Sequence, residues 1–366
     1  MKKRICFFTI GFAFNRLVRM KYYEKIFPND VEIFLFTTDK YKGKEKENYQ
    51  FPWDLKRTNI HVEEYSLLKL HFKLRKFCEE NKIDRLFNIG YFTGCVYLLY
   101  ASLLSKRDFI VNRFAKLGYK AKSLKDIFVI LFRFFIFSLL LYPSKRIIFV
   151  DSAHARFYRK LLEFLFIPQN KIKYLPAPVN TDLFKPINKK DARRKLNLPE
   201  NKKIVLFVGR TSHEKGAHIL KKIILENQDI LFVVIGNIVD EDYRKIKTNN
   251  FIHYEKKSSE ELVNYYNAAD LFYNLQWTES SGLGLTTEES LATGTPAISC
   301  FKEGIKKNKA LYLIPVNFEK ANKTIKKFFE LSEDQRNALS KHARSYAEKY
   351  FSEKANKERY IDYYLN

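Results

Sequence analysis

Between Asp270 and Cys300 the chain changes its hydrophobic rhythm twice, and this constrains the fold more than any other stretch. Asp270–Leu275 (DLFYNL) is an apolar run that reads as a buried strand, and Pro296–Cys300 reads as the next. Between them come a glycine-containing loop, helix-like spacing of Glu288, Glu289 and Leu291 over Thr286–Thr293, and Gly294 as a C-terminal stop. The order is strand, loop, helix, turn, strand, which is the repeating unit of an α/β sheet. Such a loop leaves backbone N–H groups unpaired at a helix N-terminus, where the dipole favours an anion. Acidic residues inside that helix would repel a phosphate, so Glu289 suits accepting hydrogen bonds from hydroxyls such as those of a sugar.

A second element points the same way. Lys203–Val208 (KIVLFV) is a near-continuous apolar run, as expected of a parallel strand covered on both faces. It leads into Gly209-Arg210-Thr211-Ser212-His213-Glu214-Lys215-Gly216 and then an amphipathic stretch with Ile219, Leu220, Ile223 and Ile224. Arg210 and Lys215 therefore stand at the carboxyl end of a strand, where ligands collect in open α/β sheets. Two fixed cations there suit a diphosphate, the arginine as a bidentate fork and the lysine as a point charge. His213 reads as a structural or solvated neighbour of that loop.

Together these motifs resemble the GT-B glycosyltransferases of family 4, the retaining, nucleotide-sugar-dependent group. In that family a GR…EKG loop holds the donor diphosphate, and Arg210 and Lys215, with Gly209 beside them, match it. An E-x7-E segment running into an E-A-M-A-x-G-x-P-like stretch holds the donor sugar and ribose. Glu289, Ala292, Gly294 and Pro296 match its second part. A third match is Lys171–Pro186, whose Asn180, Asp182 and Phe184 resemble the family's interdomain Asn-x-Asp-x-Phe pattern. The resemblance covers most of residues 145–320 and is architectural before that. It implies a donor site at Gly209, Gly282, Leu283, Gly284, Leu285 and Glu289, with Gly11 after the first strand as a further candidate. The family's first glutamate falls on Ser281. Either Glu279, two residues earlier, reaches the donor sugar, or Ser281 takes the role, so both join Arg210 and Lys215 as catalytic candidates. No N-terminal active-site histidine is placed, since Asp108–Val111 is followed by Asn112 and Arg113.

The chain has 366 residues, 46% of them hydrophobic, which suits two cores and argues against disorder. The expected architecture is α/β, two Rossmann-like doubly wound domains facing each other across a donor cleft, as in GT-B. Residues 1–185 would form the acceptor domain, 186–349 the nucleotide-sugar domain, and 350–366 a helix crossing back. Strands are expected at Ile5–Ile10, Val31–Phe36, Ile60–Tyr65, Arg85–Ile89, Phe109–Val111 and Arg146–Val150. The second half should hold six more, at Lys203–Val208, Ile230–Ile235, Phe251–Tyr254, Asp270–Leu275, Pro296–Cys300 and Ala310–Ile314.

Cys6, Cys78, Cys95 and Cys300 lack metal-ligand or C-x-x-C spacing, and no signal-peptide pattern opens the chain, so free thiols in a cytoplasmic protein are expected. Asp240-Glu241-Asp242 has D-x-D spacing, but acidic residues are favoured at a helix start in any case, so no metal is expected there. The net charge is +25, and about 29 basic against about 14 acidic residues fall in the first 150. That excess suits an anionic partner: a membrane surface, a lipid-phosphate acceptor or an acidic glycan. Ile127–Tyr142, with Lys120, Lys122 and Lys125 before it, reads either as a buried helix or as an interfacial one on a bilayer.

The implied function is metal-independent transfer of a sugar from a nucleoside-diphosphate donor to a lipid-linked or glycan acceptor, with no cofactor and no nucleic-acid partner. A transferase with a soluble acceptor and a non-catalytic nucleotide-sugar or carbohydrate binder are the alternatives. A dinucleotide-dependent oxidoreductase is disfavoured because no G-x-G-x-x-G follows a strand.

Overall fold

The computed structural model of the chain describes residues 2–10, 14–38, 55–66, 69–89, 108–111, 146–149, 163, 168–175, 178–276, 283–300 and 305–365. The chain divides into two units, Met1–Leu175 with Lys357–Asn366, and Pro176–Asn356. The first unit thus ends ten residues earlier than the expected limit of 185, and the return comes at 357 instead of 350.

The first unit is built on β1 (Lys3–Thr9), β2 (Val31–Thr38), β3 (Thr58–Glu63), β4 (Arg85–Asn88), β5 (Asp108–Val111), β6 (Arg146–Phe149) and β7 (Ile172–Tyr174), with helices α1 (Phe14–Ile26) and α2 (Leu70–Glu80). The sheet order is β3-β2-β1-β4-β5-β6-β7, and every neighbouring pair is parallel. Phe7 and Phe8 point to opposite faces of β1, and both are fully buried, so both faces of the sheet are covered. Strand β7 was not expected. Its three residues lie inside the motif taken for a linker, and pairing with β6 makes them a strand.

The second unit carries β8 (Lys203–Val208), β9 (Ile230–Ile235), β10 (Phe251–Tyr254), β11 (Leu271–Asn274), β12 (Ala297–Cys300) and β13 (Leu311–Ile314). Their order is β10-β9-β8-β11-β12-β13, again all parallel. Counted within the unit this is 3-2-1-4-5-6, the doubly wound order whose direction of winding reverses between the first and fourth strands. That reversal falls between β8 and β11. The helices are α3 (Lys189–Lys195), α4 (Ala217–Glu226), α5 (Ser259–Ala268), α6 (Leu285–Ala292), α7 (Phe318–Glu330) and α8 (Glu333–Tyr350). Capping follows the sequence: α5 starts in a capping box of Ser258 and Glu261, and α8 in one of Ser332 and Gln335. Helix α6 ends on Gly294, at φ +81°, where a Cβ would stand 2.7 Å from Ser340 Oγ. Gly294 N–H bonds the Leu291 carbonyl and Thr295 N–H that of Ser290, which is the Schellman pattern.

Two ionic clusters lock this unit. Arg193 of α3 is 3% exposed and donates to the carbonyls of Ala268, Glu200 and Lys202 and to Asp270 Oδ2 at 2.9 Å. Asp270, just before β11, also takes the Ile204 N–H at 2.8 Å and Lys189 Nζ at 2.6 Å. Arg344 of α8 reaches the carbonyls of Thr181, Phe184 and Ala292 at 3.1, 2.8 and 2.7 Å. Val179 N–H bonds the Phe351 carbonyl at 2.8 Å, and Phe184 is buried in this unit's core. These contacts are why 178–185 belong to the second unit.

Helix α9 (Glu353–Leu365) starts in the second unit and finishes in the first. There Tyr364 is 1% exposed and its hydroxyl bonds that of Tyr23 at 3.0 Å. Tyr23 in turn stacks on Phe7, centroids 4.5 Å apart. Lys3 Nζ donates to the Leu365 carbonyl and Arg146 to that of Asp362.

Ile127–Tyr142 and Lys120, Lys122 and Lys125 lie outside the described residues, as do Asn112, Arg113 and Cys95. Among the described residues, no helix is long and apolar enough to cross a membrane, and Cys6, Cys78 and Cys300 are buried.

Candidate active site

The site grows from the carboxyl ends of β8 and β11, on either side of the reversal in strand order. Beyond β8 the chain runs through Gly209 and Arg210 into a tight turn at His213–Lys215, which hands over to α4 at Gly216. The turn is tied down at Thr211, whose hydroxyl accepts the Val239 N–H at 2.8 Å from the loop after β9. Gly216 is left-handed, at φ +72°, and a Cβ there would meet Leu275 Cβ at 2.8 Å and its carbonyl oxygen at 2.9 Å. No other residue lets the two loops approach this closely. The Tyr273 hydroxyl of β11 donates to the Gly216 carbonyl at 3.1 Å, fastening the loops from beneath.

The cations differ. Lys215 is half-buried and its ammonium donates to Gln276 Oε1, just beyond β11. Arg210 is exposed, with 63% of its side chain accessible, and pairs with Glu214 at 3.3 Å. His213 is exposed and stacks on His218, centroids 3.8 Å apart and nearly parallel. Burial, then the charge of His213, holds His218 below the ordinary histidine range.

On the β11 side, Asn274 donates to Thr287 Oγ1 at 2.8 Å and to the Leu283 carbonyl at 3.3 Å. It thereby fixes the first turn of α6 relative to the strand. The cap residue of α6 is Gly284, which has no side chain to serve the first-turn N–H groups. Leu283 is buried and Leu285 is exposed, so the turn presents its backbone. One turn in, Glu289 is 6% exposed and accepts a hydrogen bond from the Tyr266 hydroxyl of α5 at 2.8 Å. Burial pushes Glu289 up to about 7, and the Tyr266 bond pulls it partly back. Gly11, Glu279, Ser281 and Gly282 lie outside the described residues. The structure thus brings Gly209, Arg210, Lys215, Leu283, Gly284, Leu285 and Glu289 to the carboxyl edge of one sheet.

Sequence reasoning missed Tyr266, Tyr273, Asn274 and Gln276, which hold the candidates in place. Asn274 and Gln276, polar residues at the end of an apolar strand, were the available signal. Asp240 and Asp242 bond Lys221, and Asp242 also bonds Lys245. Lys221, then Lys245, holds the Asp242 carboxyl down to about 2.

Glu289 makes a signed pH prediction. Unfolded glutamate releases its proton near 4.3, and the folded residue holds it to about 7. Between those values the folded state binds more protons, so stability falls as pH rises. Glu289→Gln removes that loss. It should stabilise the ligand-free protein by about 1–2 kcal/mol at pH 8 and by almost nothing at pH 4.5, the full shift being discounted because a buried amide is also desolvated. Thermal melting of both proteins across this range checks it, and a difference that does not grow with pH contradicts it.

Comparison with known proteins fits this geometry. The family described as Glycosyl transferases group 1 matches residues 188–346. The D-inositol 3-phosphate glycosyltransferase of Thermobispora bispora is 27% identical over 167 residues, 40% of this chain and 39% of that protein. The chain therefore spans about two fifths of that relative's length. Among solved structures, sucrose-phosphate synthase from Thermosynechococcus elongatus superposes with a TM-score of 0.78 at 18% identity, over 99% of this chain and 98% of that one. Anabaena Alr3699/HepE in complex with UDP-glucose gives 0.75 at 14%, over 98% of each chain. The chain thus has the GT-B fold, and the match to the group 1 glycosyltransferases falls within the unit that carries the β8 and α6 loops.

Proposed function

We propose that the protein is a retaining glycosyltransferase that moves a sugar from a nucleoside-diphosphate sugar to a glycan or lipid-linked acceptor. The observation that carries this is the meeting, at one strand-order reversal, of the Lys215 ammonium, the uncapped first turn of α6 and the Glu289 carboxyl. A diphosphate needs the first two, and a sugar or ribose hydroxyl the third. That a fold neighbour holds UDP-glucose supports a nucleotide-sugar donor.

Breaking the anomeric C–O bond passes through an oxocarbenium-like transition state, while negative charge gathers on the departing diphosphate. Groups preset at that position stabilise the transition state more than the ground state. Lys215, Arg210 and the backbone N–H groups about Leu283 and Gly284 fill this role in the proposal, without a metal. The acceptor attacks from the face the diphosphate leaves, and the diphosphate takes its proton. Glu279 or Ser281 would complete the sugar contacts. An acceptor bearing a lipid phosphate, met at the inner membrane surface, is favoured by the net charge of +25.

The test is a panel of UDP-, GDP- and ADP-sugars given to the purified chain without divalent metal, with and without a lipid extract, reading release of nucleoside diphosphate. Release from one donor, raised by lipid, is expected. Binding of a donor with no release under any acceptor condition would turn the reading to a carbohydrate- or nucleotide-binding protein.

A further inference from the structure

Tyr266 is fully buried, and its ring and backbone are fixed independently of its hydroxyl. The ring meets Phe184 and Phe272 edge-on, with centroids 6.0 and 5.6 Å away. Its carbonyl accepts the Thr295 hydroxyl at 2.7 Å, and Thr295 N–H closes the C-terminal cap of α6. Helix α5, the cap of α6 and the tyrosine ring are therefore one framework. From it the phenolic O–H reaches Glu289 Oε2 at 2.8 Å. A phenol on two aromatic supports has no other rotamer to take, and it donates a single hydrogen bond.

A carboxylate held at one oxygen has its plane, and so its second oxygen, fixed as well. Among the described residues Glu289 has no other side-chain partner. We infer that Tyr266 is a positioning residue of the donor site, which by holding Oε2 fixes Glu289 so that Oε1 is offered, ionised, to a hydroxyl of the nucleotide-sugar. The identity of that ligand rests on the transferase reading, whereas the Tyr266–Glu289 pair does not.

Among the described residues, no competing charge sets this carboxyl. The elements packed on α6 carry ionisable groups that include Tyr265 on α5, Tyr273 on β11, Cys300 on β12, and Arg344 and Tyr346 on α8, besides Glu288 on α6 itself. Arg344 is committed to three carbonyls and to Glu348, the Tyr346 hydroxyl to the Lys306 carbonyl, and the Tyr273 hydroxyl to that of Gly216. Burial favours the protonated form of Glu289, and among the described residues the group that works against it is the Tyr266 hydroxyl.

Tyr266→Phe in the full chain tests this, with donor kinetics from pH 5.5 to 9 and a carboxyl NMR titration of 13C-glutamate-labelled protein, the Glu289 signal being assigned by its loss in Glu289→Gln. Without the phenolic O–H, Glu289 should hold its proton longer. The acid limb of kcat/KM for the donor should move up by about one pH unit, with KM at pH 7 rising about fivefold and recovering by pH 9, and kcat changing less. A tyrosine that merely fills the core would lower the melting temperature and leave both titrations in place, which overturns the inference. If the variant does not fold, the wild-type titration decides: Glu289 ionising in the ordinary carboxylate range, unlinked to donor KM, also overturns it. A wild type that turns over no donor sinks the transferase reading, and the carboxyl titration still tells whether Tyr266 governs Glu289.

Discussion

Replacing Lys215 with alanine is expected to lower kcat/KM for the donor by about 10²–10³-fold, the cost of removing one preset stabiliser of a developing anion. The size follows from its setting. Its ammonium is half-buried and already fixed on Gln276 Oε1, so it meets the diphosphate with little reorganisation. Arg210, exposed and paired with Glu214, acts through water, and Arg210→Ala should cost about tenfold at most. Lys215→Arg should recover little, because a planar fork does not fill the place of a compact ammonium. Initial rates of nucleoside diphosphate release against donor concentration give the answer. A loss under tenfold for Lys215→Ala, or a larger one for Arg210→Ala, would remove Lys215 as the principal cation. The melting temperature should barely move, since the lysine contributes nothing to the apolar core.

Asp270→Ala should show the opposite pattern. Its carboxylate neutralises Arg193, which is 3% exposed, and receives the Ile204 N–H at the start of β8. Removing it leaves a buried guanidinium without its counter-charge and an N–H without an acceptor, a loss of about 3–5 kcal/mol. Lys189 adds little, because it is itself nearly half exposed. In denaturant the midpoint should fall sharply with an unchanged slope. Asp270 lies before β11 and the candidate site after it, so the variant that remains folded in the cold should keep its donor KM. An unfolding free energy within about 1 kcal/mol of wild type would mean that the three carbonyls on Arg193 suffice to hold its charge.

The two substitutions also show what was legible in the chain. Lys203–Val208, Ile230–Ile235 and Phe251–Tyr254 were read to the residue, because strands buried on both faces leave continuous apolar runs. The apolar run overstates β11 at Asp270, because the hydrogen bond of Asp270 to Arg193 comes from a helix 77 positions away in sequence and leaves no local trace. Strand β7 was missed because three residues carry no periodicity. Within the site, residues whose chemistry is local, Lys215 after a strand and Gly294 after a helix, could be found from spacing. Residues that act through a partner could not. Glu289 was assigned to sugar hydroxyls from its place on α6, while the buried phenol that occupies one of its oxygens lies 23 residues upstream on a different helix.

The placement of α9 bears on how the molecule is made. Tyr360, Tyr364 and Leu365 are core residues of the first unit, packed with Phe7, Tyr23 and Phe27. That unit emerges first during synthesis, yet this part of its interior stays open until the whole of Pro176–Asn356 has been translated. The second unit is continuous in sequence and can close as soon as it has left the ribosome. The first therefore waits with an aromatic cluster uncovered, a period in which a chaperone or a membrane surface has apolar side chains to meet.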